Sequence, residues 1–149
     1  MPGPVFTRTN HDEDQSPRFY STSTVVASPA AAAETVIASI TGIDGGLGVA
    51  TGVWLSGDAS FTVGTSGTAI RLRIRTGVTA GAGTVVSDTG ALTGGIAAAN
   101  LVSQDIQGTD TTATGGTVIA STSYCLTLTV TAGSAASTVS QVNLVALVI

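Results

Sequence analysis

Hydrophobic and polar residues alternate along most of this chain, and glycines punctuate the alternation. The clearest run is Ala69-Ile70-Arg71-Leu72-Arg73-Ile74-Arg75-Thr76-Gly77. Side chains at i, i+2 and i+4 of a strand point to one side, so Ile70, Leu72 and Ile74 share a core face and Arg71, Arg73 and Arg75 share the opposite one. A second run sets Tyr124, Leu126, Leu128 and Val130 against Cys125, Thr127, Thr129 and Thr131. Between Val139 and Ile149 both registers are apolar: Val142, Leu144, Ala146 and Val148 on one face, Val145, Leu147 and Ile149 on the other. A strand that is apolar on both faces is covered on both faces. In a sandwich of this size the second cover is expected to be another subunit.

Shorter alternations predict further strands from about Arg18 to Ala27, from about Glu34 towards Gly42, and from Thr84 to Ser87. Ala31, Ala32 and Ala33 favour helix, but the β-branched residues that follow favour strand. Gly48 to Val63 carries two alternations around Gly57-Asp58, a pair that can form a hairpin turn or a bulge in one bent strand. Phe61 and Val63 fall on one side of it, Ser60 and Thr62 on the other. Trp54 falls opposite Val53 and Leu55, where packing in a second layer is favoured over contact with a ligand. From Asp88 to Gly116 the alternation fades, and loop with one or two short strands or a helical turn is expected. About eight short strands separated by turn signals predict an all-β chain, and a jelly-roll β-sandwich is the favoured form.

The N-terminal stretch breaks this pattern. Three of the four prolines (Pro2, Pro4 and Pro17), the lone His11 and the acidic run Asp12-Glu13-Asp14 fall there without a sustained apolar period. Residues 1–20 are therefore read as an extended arm and 21–149 as a single jelly-roll domain. Charged residues make up only 9% of the 149-residue chain, against roughly 25% in ordinary domains. No apolar run approaches the ~18 to 20 residues of a membrane-spanning helix, and the first residues lack the pattern of a secretion signal, so no membrane partner is expected. With one cysteine, no internal disulfide is expected.

Candidate chemistry is sparse. His11 lies in the arm, Cys125 on a threonine-lined face, and all five cationic side chains are arginine. A nucleophile-histidine arrangement would need the arm to fold back onto the body, so no enzyme activity is expected. His11, Asp12, Glu13 and Asp14 lack the spacing of a zinc or calcium site, and the glycine clusters lack the context of a phosphate cradle; neither metal nor cofactor is expected. A net charge of −4 and few aromatic residues weigh against nucleic acid. The face of Arg71, Arg73 and Arg75 is read as a solvated outer face or as a surface for acidic groups, either a partner's carboxylates or Asp58 from a neighbouring strand.

The order of Glu34-Thr35-Val36-Ile37-Ala38, Gly52-Val53-Trp54-Leu55-Ser56-Gly57-Asp58, Leu72-Arg73-Ile74-Arg75-Thr76-Gly77, Tyr124-Cys125-Leu126-Thr127-Leu128-Thr129-Val130 and an apolar terminal strand resembles the jelly-roll capsid decoration, or cement, proteins of tailed bacteriophages. More remotely, it is similar to the trimeric jelly rolls of the C1q and tumour-necrosis-factor type, whose last strand lies near the three-fold axis. The resemblance covers residues 25 to 149. It implies a homotrimer on the exterior of an icosahedral head, made in the host cytoplasm and bound to the major capsid protein. Val142, Leu144, Val145, Leu147 and Ile149 would then form the trimer interface, and Pro4, Phe6, Arg8, Arg18 and Phe19 would belong to a capsid-binding arm. A head-fibre, tail or receptor-binding module of a phage virion is the alternative.

Overall fold

The predicted alternations become strands wherever one register can be buried. In a computed structural model of the protein, the described residues are 19–22, 33–43, 52–64, 69–92, 100–111, 122–131 and 138–149. They form eight strands: β1 (Phe19–Thr22), β2 (Glu34–Ile43), β3 (Val53–Thr62), β4 (Ala69–Thr76), β5 (Val85–Asp88), β6 (Leu101–Asp110), β7 (Thr122–Thr131) and β8 (Thr138–Val148). Two four-stranded sheets result, sheet A in the order β1-β8-β3-β6 and sheet B in the order β2-β7-β4-β5. The antiparallel pairs β1–β8, β2–β7, β3–β6 and β4–β5 nest like one long hairpin. Pairing of β3 with β8 and of β4 with β7 then wraps that hairpin into the two sheets. This is the jelly-roll sandwich the alternation predicts.

The core lies between the sheets. Sheet B contributes Ile37, Ile70, Leu72, Ile74, Tyr124, Leu126 and Leu128, and sheet A contributes Leu55, Phe61, Leu144 and Ala146. Strict alternation of buried and half-buried residues along β3 and β4 shows why these sequences are strands: a one-residue slip would turn each apolar row to solvent. Glycine has a definite role at Gly57. A Cβ there would lie 3.0 Å from Leu126 Cδ1 and 3.3 Å from Ile106 Cγ2, so the missing side chain lets sheet B's leucine reach the floor of sheet A. Gly108 does the same at the sandwich edge, where a Cβ would come within 2.8 Å of Ser87 Cβ. That approach lets Ser87 Oγ donate to the Gln107 carbonyl oxygen (2.6 Å), joining β5 to β6.

Several expectations are corrected. Gly57-Asp58 is neither turn nor bulge but the middle of the unbroken β3. The irregularity lies at the partner, where Ser140 is the extra residue of β8 opposite Ser60 and Phe61 and donates to the Ser60 carbonyl oxygen (3.0 Å). The faded region after Asp88 contains the ten-residue β6. Its inward positions include Gln104, Gly108 and Asp110, which hide the apolar period. Phe19 and Tyr20 belong to β1, paired with Leu147 and Ala146, and so to the sheet rather than to an arm.

Candidate functional site

The interior offers little reactive chemistry. Tyr124 Oη donates to Asp110 Oδ2 (2.9 Å), and burial together with this carboxylate pushes the phenol's pKa up, so it stays a donor. Cys125 is fully buried, and burial raises its pKa too, which keeps it a thiol rather than a nucleophile. Among the described residues, no group of three or more His, Cys, Asp or Glu side chains could hold a metal ion. No helix among them is long and apolar enough to cross a membrane. The acidic run and His11 lie outside the described residues.

Sheet B carries the arginine row, and its acidic partners are in the same chain. Asp88 of β5 sits between Arg71 and Arg73: it accepts Arg71 Nε (2.7 Å to Oδ1) and Nη2, and Arg73 Nε (3.0 Å to Oδ2). Glu34 of β2 reaches across β7 to Arg73 and Arg75, accepting Arg73 Nη1 (3.1 Å), Arg75 Nε (2.6 Å) and Arg75 Nη2 (3.0 Å). Thr127 Oγ1, on the intervening β7, donates to Glu34 Oε1 (2.6 Å). A polar ladder thus ties all four strands of sheet B together on its outer face. The hydrogen bonds and charge of Arg71, with those of Arg73 and the Gly90 amide, hold the Asp88 carboxyl well below the usual carboxylate range. Burial pushes Glu34 up, but its bonds from Arg75 and Thr127 and the nearby guanidinium charges outweigh that and leave it lowered. Of the alternatives left open for this face, pairing with Asp58 does not occur, because Asp58 lies on sheet A and accepts from Asn143 Nδ2 (2.8 and 2.7 Å).

Sheet A's outer face is divided along the strands. At one end Phe19, Leu147 and Trp54 stand in register across β1, β8 and β3, with Ser21, Val145 and Ser56 in the next row and Ile149 beyond. Phe19 is 64% exposed and Ile149 48%, and Trp54, Val145 and Leu147 are half-buried. Trp54 therefore is not in the core, and no second layer of the described residues covers it. Further along the face come Asn143, Asp58 and Asp105, in register across β8, β3 and β6.

The residues expected at a trimer interface separate accordingly. Val142 and Leu144 are buried in the chain's own core, 1% and 0% exposed, and have no surface to offer a partner. Val145, Leu147 and Ile149 face outward, as the two-faced pattern predicts, and Phe19 and Trp54 join them. The sequence signal for these two was present, since both are aromatic residues out of phase with neighbouring core positions. Pro4, Phe6, Arg8 and Arg18 lie outside the described residues.

No family model matches the chain, and no curated protein matches it. Solved structures do. The fold is similar to the structure of infectious bursal disease virus, Gx strain, with a TM-score of 0.58 and 17% identity over 89% of this chain and 32% of that one. It is equally similar to the VP2 subviral particle of infectious bursal disease virus, with a TM-score of 0.58 and 16% identity over 90% of this chain and 33% of that one. The Gt strain structure gives a TM-score of 0.56 and 17% identity over 90% of this chain and 33% of that one. The chain spans about a third of the length of each of these neighbours. At such identity the likeness is one of fold: this chain is a jelly-roll β-sandwich of the kind found in these virus structures.

Proposed function

We propose that this chain is a structural protein of a virion, a homotrimeric decoration or cement protein that binds the major capsid protein and stabilises the icosahedral head of a tailed phage. The observation that carries the reading is β8, whose inner register fills the core while Val145, Leu147 and Ile149, joined by Phe19 and Trp54, form an apolar outer face left uncovered by the described residues. Contiguous apolar surface of this kind marks an interaction site. Oligomeric association is the simplest way to remove it from water, and a cyclic trimer brings one such face from each copy towards a common axis. The fold likeness to the VP2 of a subviral particle supports a role in a protein shell. A surface without paired nucleophile and base among the described residues supports a structural rather than a chemical task. Light scattering of the purified protein, followed by cosedimentation with isolated phage heads, tests the reading. A trimer that saturates heads at a fixed ratio is expected. A stable monomer that leaves heads unbound contradicts it, and binding to host cells instead of heads would favour a receptor-binding module.

A further inference from the structure

We infer that a small cavity between the edges of β5 and β6 takes one primary ammonium group on an unbranched aliphatic stem, the chemistry of a lysine side chain presented by another protein. The cavity stands independently of the virion reading above; only the source of the lysine, a capsid protein, rests on that reading.

Along this edge the two sheets touch where Gly108 lets Ser87 approach and Ser87 Oγ donates to the Gln107 carbonyl oxygen. Beside that contact a cavity of about 120 Å³ opens between Thr84, Val85 and Val86 on one side and Thr109 and Asp110 on the other, with Thr76 also in its wall. Its mouth is exposed at Thr84, Val85 and Thr109, whereas Asp110 is only 6% exposed. Asp110 points inward: it stands opposite the fully buried Val53, and its Oδ2 accepts the Tyr124 hydroxyl (2.9 Å). Thr76 lies opposite Tyr124 in the β4–β7 register and so shares its inward face. Gly83, at φ 74°, bends the chain so that Thr84 N donates to Thr76 Oγ1 (2.8 Å) and Thr76 N to the Thr84 carbonyl oxygen (3.0 Å), which fixes both threonines.

This lining selects its guest. A carboxylate at the base of a narrow cavity favours a cation over a neutral or anionic group. A water-sized unit takes about 30 Å³, so the space admits about four such units, the number of heavy atoms from Cγ to Nζ of lysine. Val85 and Val86 offer aliphatic surface to the methylenes, and the ammonium's three donors meet Asp110 and threonine hydroxyls, whose oxygens can accept. A guanidinium would need a planar fork on both carboxylate oxygens, and the Tyr124 hydroxyl already lies against one of them. A calcium-like ion takes several carboxylates, and Asp110 is the sole one in the lining. The chain contains no lysine, so another molecule must supply the group, and a net charge of −4 favours its approach.

NMR titration of isotope-labelled protein with n-butylammonium chloride, and separately with tetramethylammonium chloride, n-butanol and sodium chloride, tests the site. Butylammonium alone should give saturable shifts at the Val85 and Val86 methyls and the Thr76 and Thr84 amides. Asp110→Asn should weaken binding about tenfold or more. Because that change also touches Tyr124, a second variant is needed: Val86→Phe fills the cavity, leaves the Asp110–Tyr124 bond in place and should abolish binding. No shifts, equal shifts with butanol or sodium, or unchanged affinity in both variants would overturn the site. In cosedimentation with phage heads, butylammonium should displace the protein where tetramethylammonium at the same ionic strength does not. Heads that stay decorated at saturating butylammonium would overturn a capsid lysine as the guest and leave a free alkylamine. Protein that binds butylammonium but no heads would overturn the virion reading and leave the ammonium site standing.

Discussion

Replacing Glu34 with Gln tests whether the ladder on sheet B supports the fold. Glu34 accepts four hydrogen bonds, two from Arg75 and one each from Arg73 and Thr127, and its side chain is 14% exposed. Glutamine keeps the shape and one acceptor oxygen but removes the charge, leaving Arg73 and Arg75, 16% and 11% exposed, short of one carboxylate. Exposed pairs contribute up to about 1 kcal/mol, and breaking a fully buried pair costs about 3 to 5. This site lies between those limits, so Glu34→Gln should cost about 2 kcal/mol at pH 7, lowering the melting temperature by roughly 4 to 8 °C for a domain of this size. The sign of the pH dependence follows from the lowered carboxyl. Its stabilisation is complete above the unfolded value of about 4.3 and is lost as pH falls through the lower folded value. Urea titrations of both proteins between pH 7 and about 2.5 measure this. The gap should narrow once pH drops below about 4.3. Equal stability at pH 7, or a gap that stays constant into acid, would refute the ladder's role.

Other substitutions separate fold from assembly. Leu144→Ser empties a fully buried position and should destabilise the fold by several kcal/mol, whereas Leu147→Ser on the outer face should leave unfolding within about 1 kcal/mol of the parent and weaken self-association; calorimetry paired with sedimentation velocity reads both. Tyr124→Phe removes the donor to the buried Asp110 and should cost about 2 kcal/mol in chemical denaturation. Gly57→Val pushes a branched side chain into Leu126 and Ile106 and should cost about 1 to 3 kcal/mol by the same assay.

Which parts of the fold the sequence reveals depends on what each strand buries. β4 and β8 are legible because their inward registers are uninterrupted Ile, Leu, Val and Ala, and the two-faced pattern of β8 already separates Val142 and Leu144 from Val145 and Leu147. β6 is not, since its inward row runs Val102, Gln104, Ile106, Gly108 and Asp110. Asp110 is held inside by the Tyr124 hydroxyl, which donates to it, whereas the buried Gln104 Oε1 has no hydrogen-bond partner among the described residues. The arginine row is visible at once, but its partners are not. Glu34 lies 39 and 41 residues from Arg73 and Arg75, and it reaches them only because the wrapped hairpin places β2 two strands from β4. Asp58, nearer in sequence to Arg71, is carried to the other sheet by the same wrapping. Trp54 shows the opposite limit: phase assigns its face but does not say what packs against that face.

Trp54 also provides the most direct measurement, because it is the sole tryptophan and stands in the apolar row of sheet A. Its emission spectrum and its quenching by acrylamide, followed through a dilution series alongside sedimentation, report whether that face is covered when copies associate. Emission should shift to the blue and quenching should fall in step with the rise in mass. An oligomer in which Trp54 remains as red-shifted and as quenchable as in the monomer would contradict assembly through the outer face of sheet A.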